Sequence, residues 1–156
     1  MRRMVFFRWV GFGIRLARAA SVLAVPVVLV ACGREAAVGG AAAIAAGEAI
    51  YQTECAACHG RKLEGQPDWR IRRPDGKLPA PPHDASGHTW HHPPEQLFAM
   101  VKHGMVPPNA PPGYVSDMPA FAGRLSDDQI RQVLAYIEST WPAEIRAQRR
   151  ERFGTR

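Results

Sequence analysis

The sequence has few cysteines and no long apolar run. Only three of its 156 residues are cysteine, and three cannot form the disulfide framework of a small bridged protein. The uncharged, mostly apolar stretch 19–31 is too short to cross a bilayer comfortably as a helix, and Pro26 within it disfavours a helix further. No internal repeat and no alternating strand pattern is present. We therefore expect an all-α domain with long loops.

Excess positive charge is also absent from most of the chain. The sequence has 20 basic and 14 acidic residues, but all of the acidic residues follow Cys32. Five arginines precede Ala19, so the chain beyond Cys32 is almost neutral. Nucleic-acid-binding proteins keep their basic charge on the folded domain, and we therefore predict no nucleic-acid partner.

The basic start followed by an apolar core is typical of a secretory signal. The core ends in Leu29-Val30-Ala31-Cys32-Gly33, which resembles the lipobox of bacterial lipoproteins. We predict that residues 1–32 are a signal peptide and that Cys32 is lipidated, which would hold an exported protein at the periplasmic side of a bacterial membrane. A signal peptide cut elsewhere and an uncleaved anchor are the alternatives.

The remaining chain divides by composition into three parts. Residues 33–43 are small and low in complexity and are interpreted as a flexible tether. Residues 44–141 form the predicted domain, in which helices lead into Cys55, follow Pro94 and begin at a Ser126–Gln129 capping box. Residues 60–93 between them have no clear period and form a long loop. Residues 142–156 are a charged tail whose arginines are expected on a solvated face: Arg146, Arg149, Arg150 and Arg152.

The residues Cys55-Ala56-Ala57-Cys58-His59 form the C-x-x-C-H signature of haem c attachment. Cysteines one helical turn apart can each form a thioether with a haem vinyl group, and the histidine that follows can bind the iron. A zinc ribbon would need a second pair of ligands, and a thioredoxin-like pair would need a βαβ surround. Neither is visible, so we predict one covalent haem c held by Cys55 and Cys58, with His59 as an axial ligand.

The second axial ligand is predicted to be Met118. It is followed by Pro119, which stiffens its loop, and a thioether favours Fe(II) and raises the reduction potential. Ordinary core packing is the alternative role of this methionine. Met100, predicted within a helix, and Met105, after a helix-ending glycine, are the competing ligands.

These motifs together resemble a class I, mitochondrial-type cytochrome c domain of bacteria. The resemblance covers residues 43 to 141 and rests on Gly47, Tyr51, the haem motif, Met118-Pro119 and Leu134–Ile137. It implies a small cytochrome c fold of three to five helices around the haem. It also implies that the first and last helices cross closely, with Gly47 admitting Tyr136. The long insert between residues 60 and 93 departs from the family pattern.

Four of the six histidines lie in the segment His83–His92. One interpretation is a structural loop in which histidines bind backbone or a haem propionate and Trp90 packs on the macrocycle. A second is a copper or other metal site formed by His88, His91 and His92. A third is that one of these histidines is the distal haem ligand. The spacing does not separate them.

The sequence therefore predicts an electron carrier and not an enzyme, alone or as a subunit of a larger oxidoreductase. Single electrons would pass to and from transient protein partners through a small interface. A haem enzyme or gas sensor with a labile sixth ligand is the alternative from another class. A copper-handling haem lipoprotein that uses the His83–His92 segment is the third.

Overall fold

A computed structural model describes residues 40–154, and every regular element in that range is helical. This confirms the predicted all-α fold. None of the helices in that range is long and apolar enough to cross a membrane. The predicted signal peptide, Cys32 and most of the predicted tether lie outside the described residues. The α-helices are α1 (Ala41–Ile50), α2 (Ala56–His59), α3 (Pro94–His103), α4 (Asp127–Ser139) and α5 (Ala143–Phe153).

Helix α1 begins within the segment predicted as a tether. Its first turns read AAAIAA, and alanine has the highest helix propensity of all residues. The chain then widens into a π-helical turn, Tyr51–Cys55, before it tightens again into α2. Such turns disturb the regular ladder of a helix and are frequent at functional sites.

The ends of α3 and α4 follow their sequence signals. Pro94 occupies the start of α3, and Gly104 ends it at φ +79°, a conformation that favours glycine. Ser126 and Gln129 form the predicted capping box at the start of α4, with each side chain bonded to the other's backbone N–H. The predicted starts of both helices and the predicted end of α3 at Gly104 are confirmed.

The fold is closed by the crossing of α1 and α4. A Cβ added to Gly47 would stand 2.0 Å from the carbonyl oxygen of Gln132 and 3.0 Å from Cβ of Tyr136. Because Gly47 has no side chain, the backbones of α1 and α4 contact each other directly. The implied contact with Tyr136 is confirmed. Around this crossing lies an apolar core of buried side chains: Tyr51, Ala56, Leu63, Val133, Tyr136, Ile137 and Trp141.

The tail helix α5 is not a fully solvated element. Arg149 is only 4% exposed, which corrects its prediction as a residue of a solvated face. Its guanidinium donates hydrogen bonds to the carbonyls of Trp90 and His92 and lies over the ring of Trp141. The arginine is buried because it satisfies these main-chain acceptors, a long-range arrangement that composition does not reveal.

The insert follows an irregular path with one 3-10 turn, Thr89–His91. Its start is anchored by the bond from the Gly65 amide to the His59 carbonyl, 2.8 Å. The Gln66 amide donates to the Ala80 carbonyl at 2.9 Å, which closes the loop between them. The insert is thus a folded loop attached to the end of α2.

Candidate functional site

The three residues of the predicted attachment motif lie on one short stretch of helix. Cys55 ends the π-helical turn and is half-buried, whereas Cys58 is exposed on α2 and His59 is buried at its end. The two thiols are therefore one turn apart on a common helical segment, the spacing that two thioether bonds to one haem require.

The orientation of the His59 ring is fixed by a residue that the sequence did not indicate. The ring nitrogen Nδ1 lies 2.8 Å from the carbonyl oxygen of Pro81. A carbonyl only accepts, so Nδ1 carries the proton and Nε2 keeps its lone pair. Burial lowers the pKa of His59, which favours the neutral ring. The donor set thus fits a haem iron bound at Nε2, with Pro81 orienting the ligand.

Tyr51 stabilises the end of α2 through hydrogen bonds. Its hydroxyl donates to the carbonyls of Gly60, at 2.9 Å, and of His59, at 3.3 Å. Gly60 turns the chain at φ +82°, a region that glycine enters without strain. Tyr51 is fully buried, and burial raises its pKa well above the ordinary value. The hydroxyl is therefore a structural donor that fixes the corner after His59.

The thiol chemistry of the motif argues against a redox-active cysteine pair. Burial raises the pKa of Cys55 to about 11, and the nearby Glu54 carboxylate raises it further. Cysteines that exchange disulfides have a lowered pKa, because the thiolate is the nucleophile. The thioredoxin-like alternative is accordingly disfavoured, and a structural or cofactor-attaching role suits Cys55 better.

Met118 lies in the irregular segment between α3 and α4. It is half-buried and packs against the second apolar cluster, formed around Phe121, Leu125 and Ile130. Its amide donates to Ser116 Oγ at 3.1 Å. A cavity of about 360 Å³ is lined by Met118 and by the competing Met105, but not by the attachment motif. Met100 lies within α3, as predicted.

The histidine segment separates into three different environments. His83 stacks on His59, with ring centroids 4.0 Å apart, and its Nδ1 contacts Thr89 Oγ1 at 2.8 Å. His88 stacks on Trp69, and its Nδ1 lies 3.1 Å from Nε2 of His92. A single metal ion could bind this segment only if imidazole nitrogens from these separate environments converged on one point.

His91 does not join the His88–His92 pair but stacks on Trp90. Within residues 40–154, no group of three or more His, Cys, Asp or Glu side chains is placed to hold a metal ion. The structure therefore gives no support to the copper interpretation. The segment is packed by aromatic stacking and hydrogen bonds, which agrees with a structural loop.

Two partners of the site were not found from the sequence. Pro81 acts through its carbonyl, a group that every residue has, and only its neighbours in the fold single it out. His83 was placed in the histidine segment, but nothing in its spacing placed its ring against His59. The Gly65–His59 hydrogen bond, which folds the insert back on the motif, is the local reason for both contacts.

The chain is similar to known cytochromes. The family model described as cytochrome c oxidase, cbb3-type, subunit III matches residues 42–137. A curated relative, the cbb3-type cytochrome c oxidase subunit FixP of Sinorhizobium medicae (strain WSM419), is 26% identical over 97 residues. That alignment covers 62% of this chain and 30% of the relative, so the chain spans under a third of the relative's length. No solved structure matches the chain.

Proposed function

The chain belongs to the cytochrome c family described as cbb3-type cytochrome c oxidase subunit III, and we propose that it carries single electrons with His59 and Met118 as the axial ligands of its iron. It is a class I c-type cytochrome domain, and its cofactor is covalently bound haem c. Bound haem supplies a one-electron couple between Fe(II) and Fe(III). We assign its thioether links to Cys55 and Cys58.

One observation supports the assignment of His59 as an iron ligand: its Nδ1 faces the Pro81 carbonyl at 2.8 Å. The bond fixes the tautomer and aims Nε2 away from the insert, so the ring is prepared before a metal binds it. The residues of this chain thereby hold the ligand in one orientation in both oxidation states. A carrier gains from this, because electron transfer is fastest when little has to reorganise around the iron.

The test of the ligand pair is an optical spectrum of the purified protein, reduced and oxidised, including the near-infrared region. We expect a methionine-to-iron(III) charge-transfer band and no response to carbon monoxide. Met118→Ala should abolish the band and open the iron to carbon monoxide, whereas the matched variant Met105→Ala should leave both unchanged. If Met105→Ala abolishes the band, the assignment is wrong. Ready carbon monoxide binding by the unaltered protein would favour the enzyme or sensor function.

We further propose that the protein works at the periplasmic side of a membrane, attached through a lipid on Cys32. The support is the sequence alone, in which a basic, apolar and lipobox-like order precedes the domain. The relative's name refers to an oxidase subunit, so an oxidase is the proposed kind of protein partner. Mass spectrometry of the mature protein should show an acylated N-terminal Cys32, and Cys32→Ser should release it from membranes. An unmodified N-terminus at another residue would contradict the anchor.

A further inference from the structure

The insert reaches the residue next to Met118. Arg73 Nη2 lies 2.5 Å from Asp117 Oδ2, and Lys77 Nζ pairs with the other carboxylate oxygen, Oδ1. Each carboxylate oxygen of Asp117 is therefore paired with one of the two cations. These contacts join parts of the chain that are 44 and 40 residues apart, so they are not imposed by local geometry.

The cations are presented by a well-formed turn. The Arg73 amide donates to the Lys77 carbonyl at 2.9 Å, and the Gly76 amide donates back to the Arg73 carbonyl at 2.8 Å. Arg72 closes the same turn through its guanidinium, which donates to the Gly76 carbonyl at 2.6 Å. Gly76 has φ +81°, as such a tight turn requires. We call residues 72–77 the brace.

The chain that follows Met118 is hydrogen-bonded to α3. The Phe121 amide donates to the Val101 carbonyl at 3.1 Å, and the Ala122 amide donates to the Lys102 carbonyl at 3.0 Å. Before Met118, the chain from residue 105 is irregular, and the brace contacts it a second time where Arg72 lies over the ring of Tyr114, 5.5 Å from its centroid. Met118 is thus held by α3 on one side and by the brace on the other.

The two neighbouring side chains face different surroundings. Asp117 is 51% exposed and faces the brace, whereas Met118 is half-buried against the cluster formed around Phe121, Leu125 and Ile130. The ion pairs of Asp117 therefore hold the main chain at the residue before Met118. The same insert also orients His59 through Pro81, so one insert contacts the segments of both proposed ligands.

We propose that Asp117 is a positioning residue, and that its ion pairs with Arg73 and Lys77 keep Met118 on the iron. The inference rests on the proposed ligation by Met118. Exposed ion pairs are modest in strength and are screened by salt. The brace therefore sets how often Met118 leaves the iron, and ionic strength weakens this restraint.

The experiment measures the binding of imidazole to the oxidised holoprotein near pH 8.5, where imidazole is uncharged. An external ligand binds only when Met118 has left, so its apparent Kd is inversely proportional to the fraction of molecules in which Met118 is detached. We expect Asp117→Asn to lower the apparent Kd by about threefold and to weaken the charge-transfer band. High salt should lower the apparent Kd of the unaltered protein and have little effect on the variant.

The matched control is Asp75→Asn. Asp75 lies in the brace, is equally exposed at 51% and approaches Arg73 Nε at 3.8 Å. Its Oδ1 accepts from the Lys77 amide at 3.0 Å, an acceptor that asparagine keeps. The substitution removes the same charge as Asp117→Asn and should leave the apparent Kd for imidazole equal, within error, to that of the unaltered protein. Arg73→Gln and Lys77→Met should each reproduce part of the effect of Asp117→Asn, because each removes one of the two pairs.

The outcomes separate this inference from the ligand assignment. If Met118→Ala binds imidazole freely while Asp117→Asn behaves like the unaltered protein, Met118 is a ligand and the brace has no role. If Met118→Ala leaves the spectrum unchanged, the ligand assignment itself fails. Equal effects of Asp75→Asn and Asp117→Asn would show a general charge effect and overturn the positioning role. Amide hydrogen exchange of residues 105–118 should rise in Asp117→Asn and stay unchanged in Asp75→Asn.

Discussion

Gly47 lies against the carbonyl group of Gln132, so close that no side chain can be placed between them. The contact joins α1 and α4 across almost the whole length of the domain. Tyr136, one turn further along α4, packs its ring 5.5 Å from that of Tyr51, which supports the corner after His59. The helix crossing and the proposed haem site therefore share one packed unit.

Gly47→Ala should destabilise the protein strongly. The added methyl would meet backbone atoms at 2.0 and 2.6 Å, and backbone cannot move aside as the end of a side chain can. We expect the free energy of unfolding to fall by about 3 kcal/mol, measured by denaturant titration. Gly123→Ala is the control, because a Cβ at Gly123 meets nothing within 4 Å. Equal stability of both variants would contradict the close crossing.

Arg149→Met should loosen the contact between α5 and the histidine segment. The methionine keeps much of the apolar bulk but cannot donate to the carbonyls of Trp90 and His92. We expect a loss of about 2 kcal/mol in the free energy of unfolding, since charged donors to buried acceptors are the stronger hydrogen bonds. The exposed neighbour Arg150 provides the control variant Arg150→Met, which should change stability little.

His88 should make the protein less stable in mild acid. His88 is exposed, but its stacking on Trp69 partly desolvates the ring and lowers its pKa below the ordinary value of 6.5, and the neighbouring His92 lowers it further. In the unfolded chain His88 therefore binds a proton near pH 6.5, whereas in the folded chain it binds that proton only at a lower pH. The free energy of unfolding falls as the pH drops from 6.5 through the lower pKa of the folded state.

Replacing His88 by glutamine should flatten this part of the stability profile. The measurement is the denaturation midpoint at about pH 8 and about pH 5. A variant His88→Gln with an unchanged slope would show that other groups cause the acid sensitivity.

Elemental analysis should find one iron per chain and no copper after mild chelation. The histidines His88 and His92 face each other, but His91 points to Trp90 instead of completing a site. Two imidazoles alone leave a metal ion short of ligands. Copper that survives chelation and is lost in His88→Gln would overturn this expectation and revive the copper-handling function.

The parts of the fold that were predicted from sequence depend on local signals. The capping box of Ser126 and Gln129 and the glycine after His103 set the helix ends through side chains and backbone angles close to them in sequence. The attachment motif was equally local, because its chemistry requires a fixed spacing of Cys55, Cys58 and His59. Gly47 and Tyr136 came from the family resemblance, which supplies distant pairings that periodicity cannot.

The parts that were missed depend on contacts between distant residues. Arg149 looks like its neighbours in sequence, and only the placement of α5 against the Trp90 carbonyl makes it a buried residue. Asp117 received no predicted role, because the two cations that pair with it lie in an insert of irregular sequence. The Pro81 carbonyl carries no residue-specific signal at all.

The crossing at Gly47 also constrains how the chain reaches its folded state. Its two sides lie at opposite ends of the domain, so their meeting closes a loop that spans most of the domain, and such late, non-local closure slows folding. In a chain that grows from its N-terminus, α1 cannot form this crossing until α4 has been made. Cys55 and Cys58 are synthesised well before that point, which leaves an interval in which both thiols can be modified on an open chain.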